Sequence, residues 1–430
     1  MSSVCVHGLG YVGLPTAAML ATHGHDVYGY DTDPVLTREL RDGDVSLDEP
    51  GLEAFVARAV ESGRLRIVDD VAAAAYHVIC VPTPFDEDRR EANLDYVTAA
   101  GRTVGTVLRE GDTVILESTV PPGTTERHLK PVIESESGLA AGRDFGLAHC
   151  PETVLPGDVI AELRENDRIV GGVDARSATA AVRLYESFVD GAIRSTEGPT
   201  TAEFVKLIQN TARDVEIALA NEIARIAHDY GIDSREAIEM ANAHPRVDIL
   251  QPGPGVGGHC LPIDPWFLGA DSDALDLVPT ARAVNDGMIE FVVDLLEELL
   301  SDLDEKRVAV FGAAYKGNVD DTRMSPGLEL VRELQHGQKP SAPATDGGTL
   351  DTPGVAIHDP HVRDPTLRLL DVEEAATDAH AIVIATDHDE FAELDPDRLR
   401  ELMADPNVVD TRAILDLERW RNAGFEARRV

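Results

Sequence analysis

Short apolar runs alternate with amphipathic segments along the first half of the chain. The apolar runs predict strands at residues 4–8, 27–30, 78–81, 113–117, 146–149 and 169–171. Between them, apolar positions recur with a helical period, as at residues 15–23 and 95–108. This alternation is typical of βαβ units that build a parallel sheet.

A different pattern begins at residue 200, where apolar side chains recur at helical spacing for nearly thirty residues. The pattern predicts one long helix over residues 200–229, followed by more helix to about residue 244. A helix of this length that is apolar on more than one face commonly bridges domains or packs against a second copy of itself.

A second α/β pattern starts at Arg307. It predicts strands at residues 308–311, 354–358, 381–385 and 408–409 and a helix at residues 327–335. The segment 338–353, rich in Pro, Gly and Ser, is predicted to be a surface loop. The sequence therefore predicts an α/β protein with two Rossmann-like, doubly wound domains joined by a long central helix. The predicted domain limits are 1–198, 199–300 and 301–430.

The charge of the chain narrows the classes of partner. Its 430 residues include 78 Asp and Glu against 38 Lys and Arg, a formal net charge of −40. Such a surface lacks the basic stripe that nucleic acids and anionic membranes require, so neither is expected as a partner. Only five of the basic residues are lysines. Because acidic self-repulsion needs screening by counter-ions, we interpret the composition as adaptation to a salt-rich cytoplasm, with an ordinary acidic protein as the alternative.

The four cysteines, Cys5, Cys80, Cys150 and Cys260, show no short paired spacing, and no secretory leader precedes them. This pattern favours a reducing cytoplasm over a disulfide framework. No run of about 18 apolar residues occurs, so the sequence predicts no membrane span.

A glycine-rich turn marks a candidate cofactor site. The run Gly8-Leu9-Gly10-Tyr11-Val12-Gly13 follows a predicted strand and precedes a predicted helix. In such a motif the first glycine permits the turn, the second admits a pyrophosphate, and the third lets the helix pack on the strand. Asp31, at the end of the next predicted strand, would bind the ribose hydroxyls and repel a 2′-phosphate. The motif therefore predicts NAD rather than NADP.

Two further loops stand at predicted strand ends, where a doubly wound sheet opens its ligand crevice. They contain Thr83 and Pro84 in one loop and Thr119 in the other. We predict that these residues line the cofactor site, although ordinary turn chemistry would also account for either loop.

Cys260 lies in a second glycine-rich segment, Gly257-Gly258-His259-Cys260. A thiol in such a turn at the start of a helix is accessible and can be reactive, although an isolated cysteine is more often a small core residue. We interpret His259 as a loop donor, with a catalytic base as the alternative. The run His358-Asp359-Pro360-His361 lacks further ligands and is interpreted as a loop, so no metal site is predicted.

Four motifs, in order along the chain, resemble the UDP-glucose/GDP-mannose dehydrogenase family. They are the glycine-rich turn at residues 8–13, Lys206-Leu207-Ile208-Gln209-Asn210, Gly257-Gly258-His259-Cys260-Leu261-Pro262-Ile263-Asp264, and Ala314-Tyr315-Lys316 with Asp321-Thr322-Arg323-Met324-Ser325-Pro326. The resemblance covers nearly the whole chain. The resemblance implies two NAD-dependent oxidations that convert the C6 hydroxyl of a nucleotide sugar to a carboxylate.

The resemblance also implies catalytic roles for single residues. Cys260 would attack the intermediate aldehyde to give a thiohemiacetal and then a thioester. Lys206 and Asn210 would stabilise the oxyanion, and Asp264 would hold the lysine or position water. Glu152 matches the family's proposed base for thioester hydrolysis, and Thr119 matches a threonine that helps to hold water.

Substrate contacts are implied in the same way. Gly257, Lys316 and Arg412 match substrate-binding positions, as do Lys206 and Asn210. Arg246 matches an arginine that reaches the sugar pocket of the neighbouring subunit in relatives. The resemblance thus implies a UDP-sugar substrate and a cytoplasmic homodimer or higher homo-oligomer built around the long helix.

The segments around Arg246, Glu152 and Asp264 are most similar to the branch of the family that acts on UDP-N-acetyl-D-mannosamine, although Thr153 and Pro262 depart from its pattern. UDP-glucose and UDP-N-acetylglucosamine remain alternative substrates. A single-step dehydrogenase of the β-hydroxyacid type and a nucleotide-sugar sensor without activity remain alternative functions.

Overall fold

The computed structural model describes residues 1–45, 47, 49–337 and 354–430. These residues pack into two units, one formed by Met1–Gln209 with Asp264–Ala274 and the other by Asn210–Ile263 with Leu275–Val430. The predicted surface loop at residues 338–353 lies outside the described residues, and the three predicted domain limits remain predictions. Across the described part of the chain, no helix combines the length and the apolar content that a membrane span requires.

The first unit is built on a large sheet. The strands described in this unit are β1 (Ser3–His7), β2 (Asp26–Tyr30), β3 (Leu65–Val68), β4 (Tyr76–Ile79), β5 (Phe85–Asp86), β6 (Glu91–Ala92), β7 (Thr113–Leu116), β8 (Gly146–His149), β9 (Arg168–Gly172) and β10 (Ile193–Thr196). β5 and β6 form a separate hairpin, and the other strands have the order β10-β9-β8-β7-β4-β1-β2-β3. Every residue of β7 and β8 is buried, as expected for strands covered by helices on both faces.

One strand pair departs from the predicted parallel arrangement. β9 runs antiparallel to β8, with Ala148 opposite Gly172 and His149 opposite Gly171. The other described pairs of this sheet are parallel. β9 begins near the end at which the chain leaves β8, so the connection through residues 150–167 does not recross the sheet. The edge strands β3 and β10 were not predicted. β10 carries one apolar residue in four, whereas β3 has three but is only four residues long.

Helices lie between most of the strands, as the alternation predicts, and α8 to α12 follow one another between β10 and β11. In chain order they are α1 (Gly13–Thr22), α2 (Pro34–Asp42), α3 (Leu52–Glu61), α4 (Asp95–Gly105), α5 (Lys130–Ser137), α6 (Val159–Glu165), α7 (Ala175–Tyr185), α8 (Pro199–Asp229), α9 (Ser234–Asn242), α10 (Asp264–Leu268), α11 (Leu277–Asp286), α12 (Met288–Leu300), α13 (Pro326–Gly337), α14 (Val372–Ala376), α15 (Asp389–Ala392), α16 (Pro396–Leu402) and α17 (Leu417–Asn422). A π-helical turn, Thr125–Leu129, leads into α5. Local sequence sets their ends: α2 starts where the Asp33 carboxylate accepts from the N–H groups of Val35 and Leu36, and it stops at left-handed Gly43.

The segment Asp264–Ala274 returns to the first unit and completes its packing. The buried ring of Phe267, on α10, lies 6.1 Å from the ring of Phe85 in the hairpin β5–β6. The guanidinium of Arg90 lies 4.3 Å from the centroid of the Trp266 ring, within the range of a cation–π contact. Residues far along the chain therefore contribute to the fold of the first unit.

The second unit contains a five-stranded parallel sheet in its described residues. Its strands are β11 (Val308–Phe311), β12 (Val355–His358), β13 (Ala381–Ile384), β14 (Asn407–Asp410) and β15 (Glu426–Arg429), in the order β12-β11-β13-β14-β15. The prediction ended with β14. β15 was not predicted because this edge strand, Glu426-Ala427-Arg428-Arg429, carries three charges in four residues. The mostly parallel sheet of the first unit and the parallel sheet of the second, both with flanking helices, confirm the predicted α/β fold.

The long helix α8 confirms the prediction for residues 200–229, and α9 follows after a break at Gly231. In the second unit, a buried polar network pins α8 to α11. Arg282 Nη1 lies 2.7 Å from Asp214 Oδ1, and the Asn285 amide donates to the same oxygen at 2.9 Å. Because buried charges are tolerated when they are paired and hydrogen-bonded, this network fixes the register between the two helices.

Candidate active site

The glycine-rich turn after β1 has the backbone geometry that a pyrophosphate site requires. Gly8 has a φ of 89°, and a Cβ atom there would lie 2.7 Å from the Cys80 carbonyl oxygen. A Cβ atom on Gly13, the first residue of α1, would lie 1.9 Å from the Gly8 carbonyl oxygen. Gly10 is exposed, and among the described residues nothing lies within 4 Å of the position of its Cβ. The turn is therefore tightly packed at its ends and open in the middle.

Asp31 is tied to this turn. It follows β2 and is half-buried, and its Oδ2 accepts a hydrogen bond from the Leu9 N–H at 2.7 Å. Its Oδ1 accepts from the Asp33 N–H at 2.9 Å. Each carboxylate oxygen can accept a further hydrogen bond, as a ribose hydroxyl would supply. An open backbone beside an acidic side chain fits NAD, whereas a 2′-phosphate would meet the carboxylate.

Tyr11 and Val12 are half-buried within the turn. The Tyr11 hydroxyl donates to the carboxylate of Glu49. The same carboxylate accepts from the N–H groups of Gly157 at 2.9 Å and Val159 at 2.8 Å. Glu49 thus links the turn to the start of α6. It was not predicted because it lies in no motif, and its partners are distant in the sequence.

Two of the predicted cofactor loops meet. The Thr83 hydroxyl donates to the Thr119 carbonyl oxygen at 2.8 Å, which joins the loop after β4 to the loop after β7. Pro84, next to Thr83, is half-buried. These residues stand at the carboxyl ends of adjacent parallel strands, where ligands bind in doubly wound sheets.

Lys206 and Glu152 form a buried ion pair. Lys206 Nζ lies 3.4 Å from Glu152 Oε1, and the two side chains are 8% and 11% exposed. Glu152 Oε2 accepts from the Val154 N–H at 2.7 Å, which fixes the orientation of the carboxylate. An ammonium at low exposure acts on nearby charge more strongly than one in water. The structure therefore brings together two predicted catalytic residues that are 54 positions apart.

A buried glutamate anchors the helix that carries Lys206. Glu203, on the first turns of α8, accepts from the N–H of Thr125 at 2.7 Å and from its hydroxyl at 2.6 Å. Its other oxygen accepts from the Gly123 N–H at 2.5 Å. Burial raises the pKa of Glu203 despite these bonds. Because Lys206 follows one turn later, the bonds fix the position of its stem. This anchor was not predicted; its signal is an acidic residue one turn before Lys206 on the same helix.

A second network that was not predicted surrounds the buried carboxylate of Glu117. Glu117, which follows β7, accepts from the Cys80 thiol at 3.0 Å and from the Tyr185 hydroxyl at 3.0 Å. The guanidinium of Arg168 lies 3.9 Å from Glu117, and both side chains are fully buried. Burial raises the pKa of Glu117 and holds the pKa of Cys80 well above its usual value. Cys80 is therefore a neutral structural thiol. A glutamate that ends an apolar strand is the only sequence signal for this network.

In the second unit, Cys260 is exposed at the end of its glycine-rich segment. A Cβ atom on Gly257 would lie 2.5 Å from the Met324 carbonyl oxygen. A Cβ atom on Gly258, which has a φ of 86°, would lie 2.8 Å from the Tyr315 ring. Glycine is required at both positions, because any side chain would push the segment away from the loop that supports it. The backbone thus presents an accessible thiol from a tightly packed turn.

The predicted substrate cations of the second unit differ in exposure. Lys316, in the loop after β11, and Arg246, after α9, are exposed. Arg412 is half-buried; its Nε donates to the Ala385 carbonyl oxygen at 3.1 Å, and burial lowers its pKa. A Cβ atom on Gly253 would lie 3.3 Å from Arg412 Nη1, so Arg412 approaches the segment that leads to Cys260.

The remaining predicted catalytic residues lie on helices. α8 carries Asn210 one turn after Lys206, so both lie on one side of that helix, and Asn210 is half-buried. Asp264 is the first residue of α10, in the first unit, and is 4% exposed. The roles given to both residues remain predictions.

Two side-chain clusters among the described residues have metal-ligand chemistry. They are Cys5 with His7 and His77, and His361 with His388 and Glu390. In the first cluster, burial raises the pKa of Cys5 to about 11 and lowers that of His7 to about 3, which keeps both groups neutral. In the second, both ring nitrogens of His388 have protein partners, Asp359 and the Asn318 N–H. We assign no metal to either cluster.

Comparison with known proteins places this arrangement among the nucleotide-sugar dehydrogenases. Residues 2–189 match the NAD binding domain of the UDP-glucose/GDP-mannose dehydrogenase family, residues 200–287 its central domain, and residues 309–417 its UDP binding domain. A UDP-N-acetyl-D-mannosamine dehydrogenase of Methanocaldococcus jannaschii is 42% identical over 98% of this chain and 95% of its own. An NDP-N-acetyl-D-galactosaminuronic acid dehydrogenase of Ralstonia solanacearum is 40% identical over 97% of each chain.

A solved structure agrees with these matches. The UDP-D-ManNAc dehydrogenase of Pyrococcus horikoshii superposes with a TM-score of 0.90 at 40% identity and covers 100% of this chain and 99% of that one. The three matched domains lie in the order in which the sequence motifs occur. The chain therefore belongs to the UDP-glucose/GDP-mannose dehydrogenase family, and it is an NAD-dependent oxidoreductase that acts on a nucleotide sugar.

Proposed function

We propose that this enzyme oxidises the C6 hydroxyl of UDP-N-acetyl-D-mannosamine to a carboxylate in two successive two-electron steps. The proposal is supported by the names of the relatives that match the whole chain and by the residues that this chain carries for such chemistry. The observation that carries it is the exposed Cys260 thiol on a turn in which two glycines are sterically required. A covalent tether at this thiol accounts for two oxidations without release of the aldehyde.

The chemistry at Cys260 follows from its reactivity. Oxidation of the alcohol gives an aldehyde, and the Cys260 sulfur adds to its carbonyl carbon to form a thiohemiacetal. The second oxidation gives a thioester. Water then attacks the acyl carbon, the C–S bond breaks, and the carboxylate leaves as the thiol is regenerated. Lys206 and Asn210 donate to the oxygen on which negative charge develops in these steps.

Hydrolysis of the thioester needs a base and a positioned water. We assign the base to Glu152, whose carboxylate is oriented by Val154 and paired with Lys206. Thr119, fixed to Thr83, would help to hold the water. Asp264 would position Lys206 or the same water. During the oxidations and the hydrolysis, the positive charge of Lys206 offsets the negative charge of the oxyanion and that of the Glu152 carboxylate.

The cofactor and nucleotide sites are assigned on the same basis. Bound NAD supplies the hydride acceptor in each oxidation. The turn at residues 8–13 would hold its pyrophosphate, and Asp31 its ribose hydroxyls. Lys316 and Arg412 would hold the diphosphate of the UDP-sugar, and Gly257 would leave room for the sugar beside Cys260.

The decisive experiment is a substrate panel with NADH counted per sugar. UDP-N-acetyl-D-mannosamine, UDP-N-acetylglucosamine, UDP-N-acetylgalactosamine and UDP-glucose are each oxidised to completion with excess NAD. We expect two NADH per sugar and the highest kcat/KM with UDP-N-acetyl-D-mannosamine. One NADH per sugar would contradict the four-electron reaction and favour the single-step alternative. UDP binding without NADH formation from any sugar would favour a sensor.

We further propose that the enzyme works as a homodimer in which two copies of α8 pack together. Leu219 and Ile226, two turns apart on α8, are 48% and 51% exposed, and Tyr230, directly after the helix, is 77% exposed. An apolar row on a long helix favours a second copy of the same helix as its occupant. We assign Arg246, which is exposed after α9, to the sugar pocket of the partner subunit in this dimer. Light scattering is expected to give twice the mass of one chain, and a monomer would contradict this proposal.

We also propose that the enzyme serves a salt-rich cytoplasm and supplies a uronic acid for polysaccharide synthesis. The net charge of −40 makes the acidic surface repel itself unless salt screens it. This screening strengthens with salt, because the Debye length falls from about 30 Å at 0.01 M salt to about 3 Å at 1 M. We expect the melting temperature to rise steeply with KCl and tertiary structure to be lost in dilute buffer. Near-ultraviolet circular dichroism during a KCl titration measures this, with equiosmolar sucrose as the control. A fold that is intact in dilute buffer would contradict it.

A further inference from the structure

The loop between β11 and α13, residues 312–325, carries Lys316 and also supports the segment that presents Cys260. It is called the coupling loop below. Lys316 is exposed near the start of this loop. Tyr315 and Met324, one near each end, meet the two glycines that precede the nucleophile. One short stretch of backbone therefore contacts the reactive segment and bears the cation assigned to the nucleotide.

The first half of the coupling loop is held by hydrogen bonds to Asp359 and His388. Asp359 Oδ2 accepts from the N–H groups of Ala313 at 2.7 Å and Ala314 at 3.0 Å. The fully buried His388 donates from Nε2 to the same oxygen at 3.0 Å and accepts from the Asn318 N–H at 2.9 Å through Nδ1. These bonds tie the backbone on both sides of Lys316 to a buried carboxylate and a buried imidazole, so a movement of the loop rearranges these hydrogen bonds.

The second half of the coupling loop is hydrogen-bonded to the segment that presents Cys260, residues 257–260. The Gly258 N–H donates to the Arg323 carbonyl oxygen at 2.9 Å. The Tyr315 N–H donates to the Asp321 carbonyl oxygen at 2.9 Å, and the Asp321 carboxylate pairs with Arg323 at 2.6 Å. A movement at residue 315 is therefore passed by hydrogen bonds to residue 323 and from there to Gly258.

The coupling loop is also strained and lies close to the thiol. Met324 has a φ of 48°, which a residue with a long side chain adopts only when its surroundings hold it there, whereas Asn318, with a φ of 62°, is of a type that tolerates this region. Burial raises the pKa of Tyr315 to about 12, and the charges of Asp321 and Cys260 add to the effect. Tyr315 is thus a neutral, half-buried ring next to the nucleophile rather than a base.

We propose that the coupling loop transmits nucleotide occupancy to the nucleophile, with Tyr315 as the positioning residue. Binding of a nucleoside diphosphate at Lys316 would restrain the loop, and the Tyr315 ring and the Arg323 carbonyl would then hold Gly257 and Gly258 so that Cys260 is aligned for attack. Binding energy from the non-reacting part of the substrate is thereby used to order the reacting group. This inference rests on the proposed function, because it assumes that Lys316 meets the diphosphate.

The test is the rate of Cys260 alkylation by iodoacetamide in the full chain, with and without saturating UDP. UDP lacks the sugar and leaves the region of the thiol accessible. We expect UDP to raise the alkylation rate constant about fivefold or more in the wild-type enzyme. Tyr315→Phe, which keeps the ring, is expected to retain this response, and Tyr315→Ala to lose it. Tyr315→Ala is also expected to lower kcat about 10- to 100-fold and to leave the Kd for UDP within about twofold.

Two controls make the outcome specific. Tyr96→Ala removes a tyrosine that is 51% exposed on α4 and is expected to behave as wild type. Tyr315→Leu keeps an apolar side chain without the ring, and it replaces Tyr315→Ala in the test if the alanine variant has a lower melting temperature than the wild-type enzyme. An alkylation rate that ignores UDP in the wild-type enzyme, or that responds equally in Tyr315→Ala, overturns the coupling. UDP binding measured by calorimetry separates the two proposals: bound UDP without a response rejects only the coupling, whereas no UDP binding rejects the proposed function as well.

Discussion

Replacement of Cys260 by serine is expected to abolish formation of the carboxylate. A hydroxyl is a far weaker nucleophile than a thiolate at neutral pH, and an ester in place of the thioester would hydrolyse slowly. We expect kcat for the acid to fall at least about 1,000-fold, within the range seen when a catalytic nucleophile is removed. The NADH yield should drop from two per sugar to one or none. Absorbance at the NADH band and mass spectrometry of the product measure both quantities.

Cys5→Ala is the matched control for this experiment. Its replacement also removes one thiol from the chain. Cys5, however, is buried in β1, where a substrate does not reach it. We expect this variant to keep two NADH per sugar. Because the Cys260 side chain is exposed, Cys260→Ser should retain the melting temperature and the Kd for UDP. Full turnover to the acid by Cys260→Ser would exclude the thioester route.

Replacement of Lys206 by methionine is expected to lower kcat about 100- to 1,000-fold. The change keeps most of the apolar stem but removes the charge proposed to stabilise the oxyanion, a loss of the size seen when a single oxyanion donor is removed. It also leaves Glu152 buried without the ammonium that lies 3.4 Å away. Rapid-mixing kinetics should show that the first NADH of the first turnover is already slow.

Glu152→Gln separates this role from that of the base. The amide still accepts from the Val154 N–H, but it cannot take a proton from water. We therefore expect a fast burst of two NADH per active site, followed by slow turnover as the thioester accumulates. Intact-mass measurement would detect the acyl-enzyme. A burst of the same size in Lys206→Met, or none in Glu152→Gln, would contradict the assigned roles.

The sequence predicted the central strands and the long helix because their apolar patterns are local and strong. It did not predict β15, an edge strand with three charges in four residues, or the reversed direction of β9, which depends on where a connection lies rather than on its composition. The site shows the same division. Asp31 was predicted because its distance from the glycine turn is fixed by one βαβ unit.

Glu203, Glu117 and Glu49 escaped prediction for a common reason. Each is recognisable only through partners far along the chain, such as Thr125 for Glu203, which is 78 positions away. No periodicity encodes such pairs. Sequence reasoning therefore proposes catalytic groups within motifs, but it does not find the buried acids that hold those motifs in place.

The return of Asp264–Ala274 to the first unit has a consequence for synthesis of the chain. The 54 residues 210–263 belong to the other unit, so the ribosome makes them before it makes α10. At about 5–20 residues per second this interval lasts about 3–11 s. During it, the hairpin β5–β6 lacks the ring of Phe267, and the buried place of Asp264 is unfilled. The nascent first unit therefore remains incompletely packed during this interval. Its contacts with α10 form only after residues 257–260, which include Cys260, have been translated.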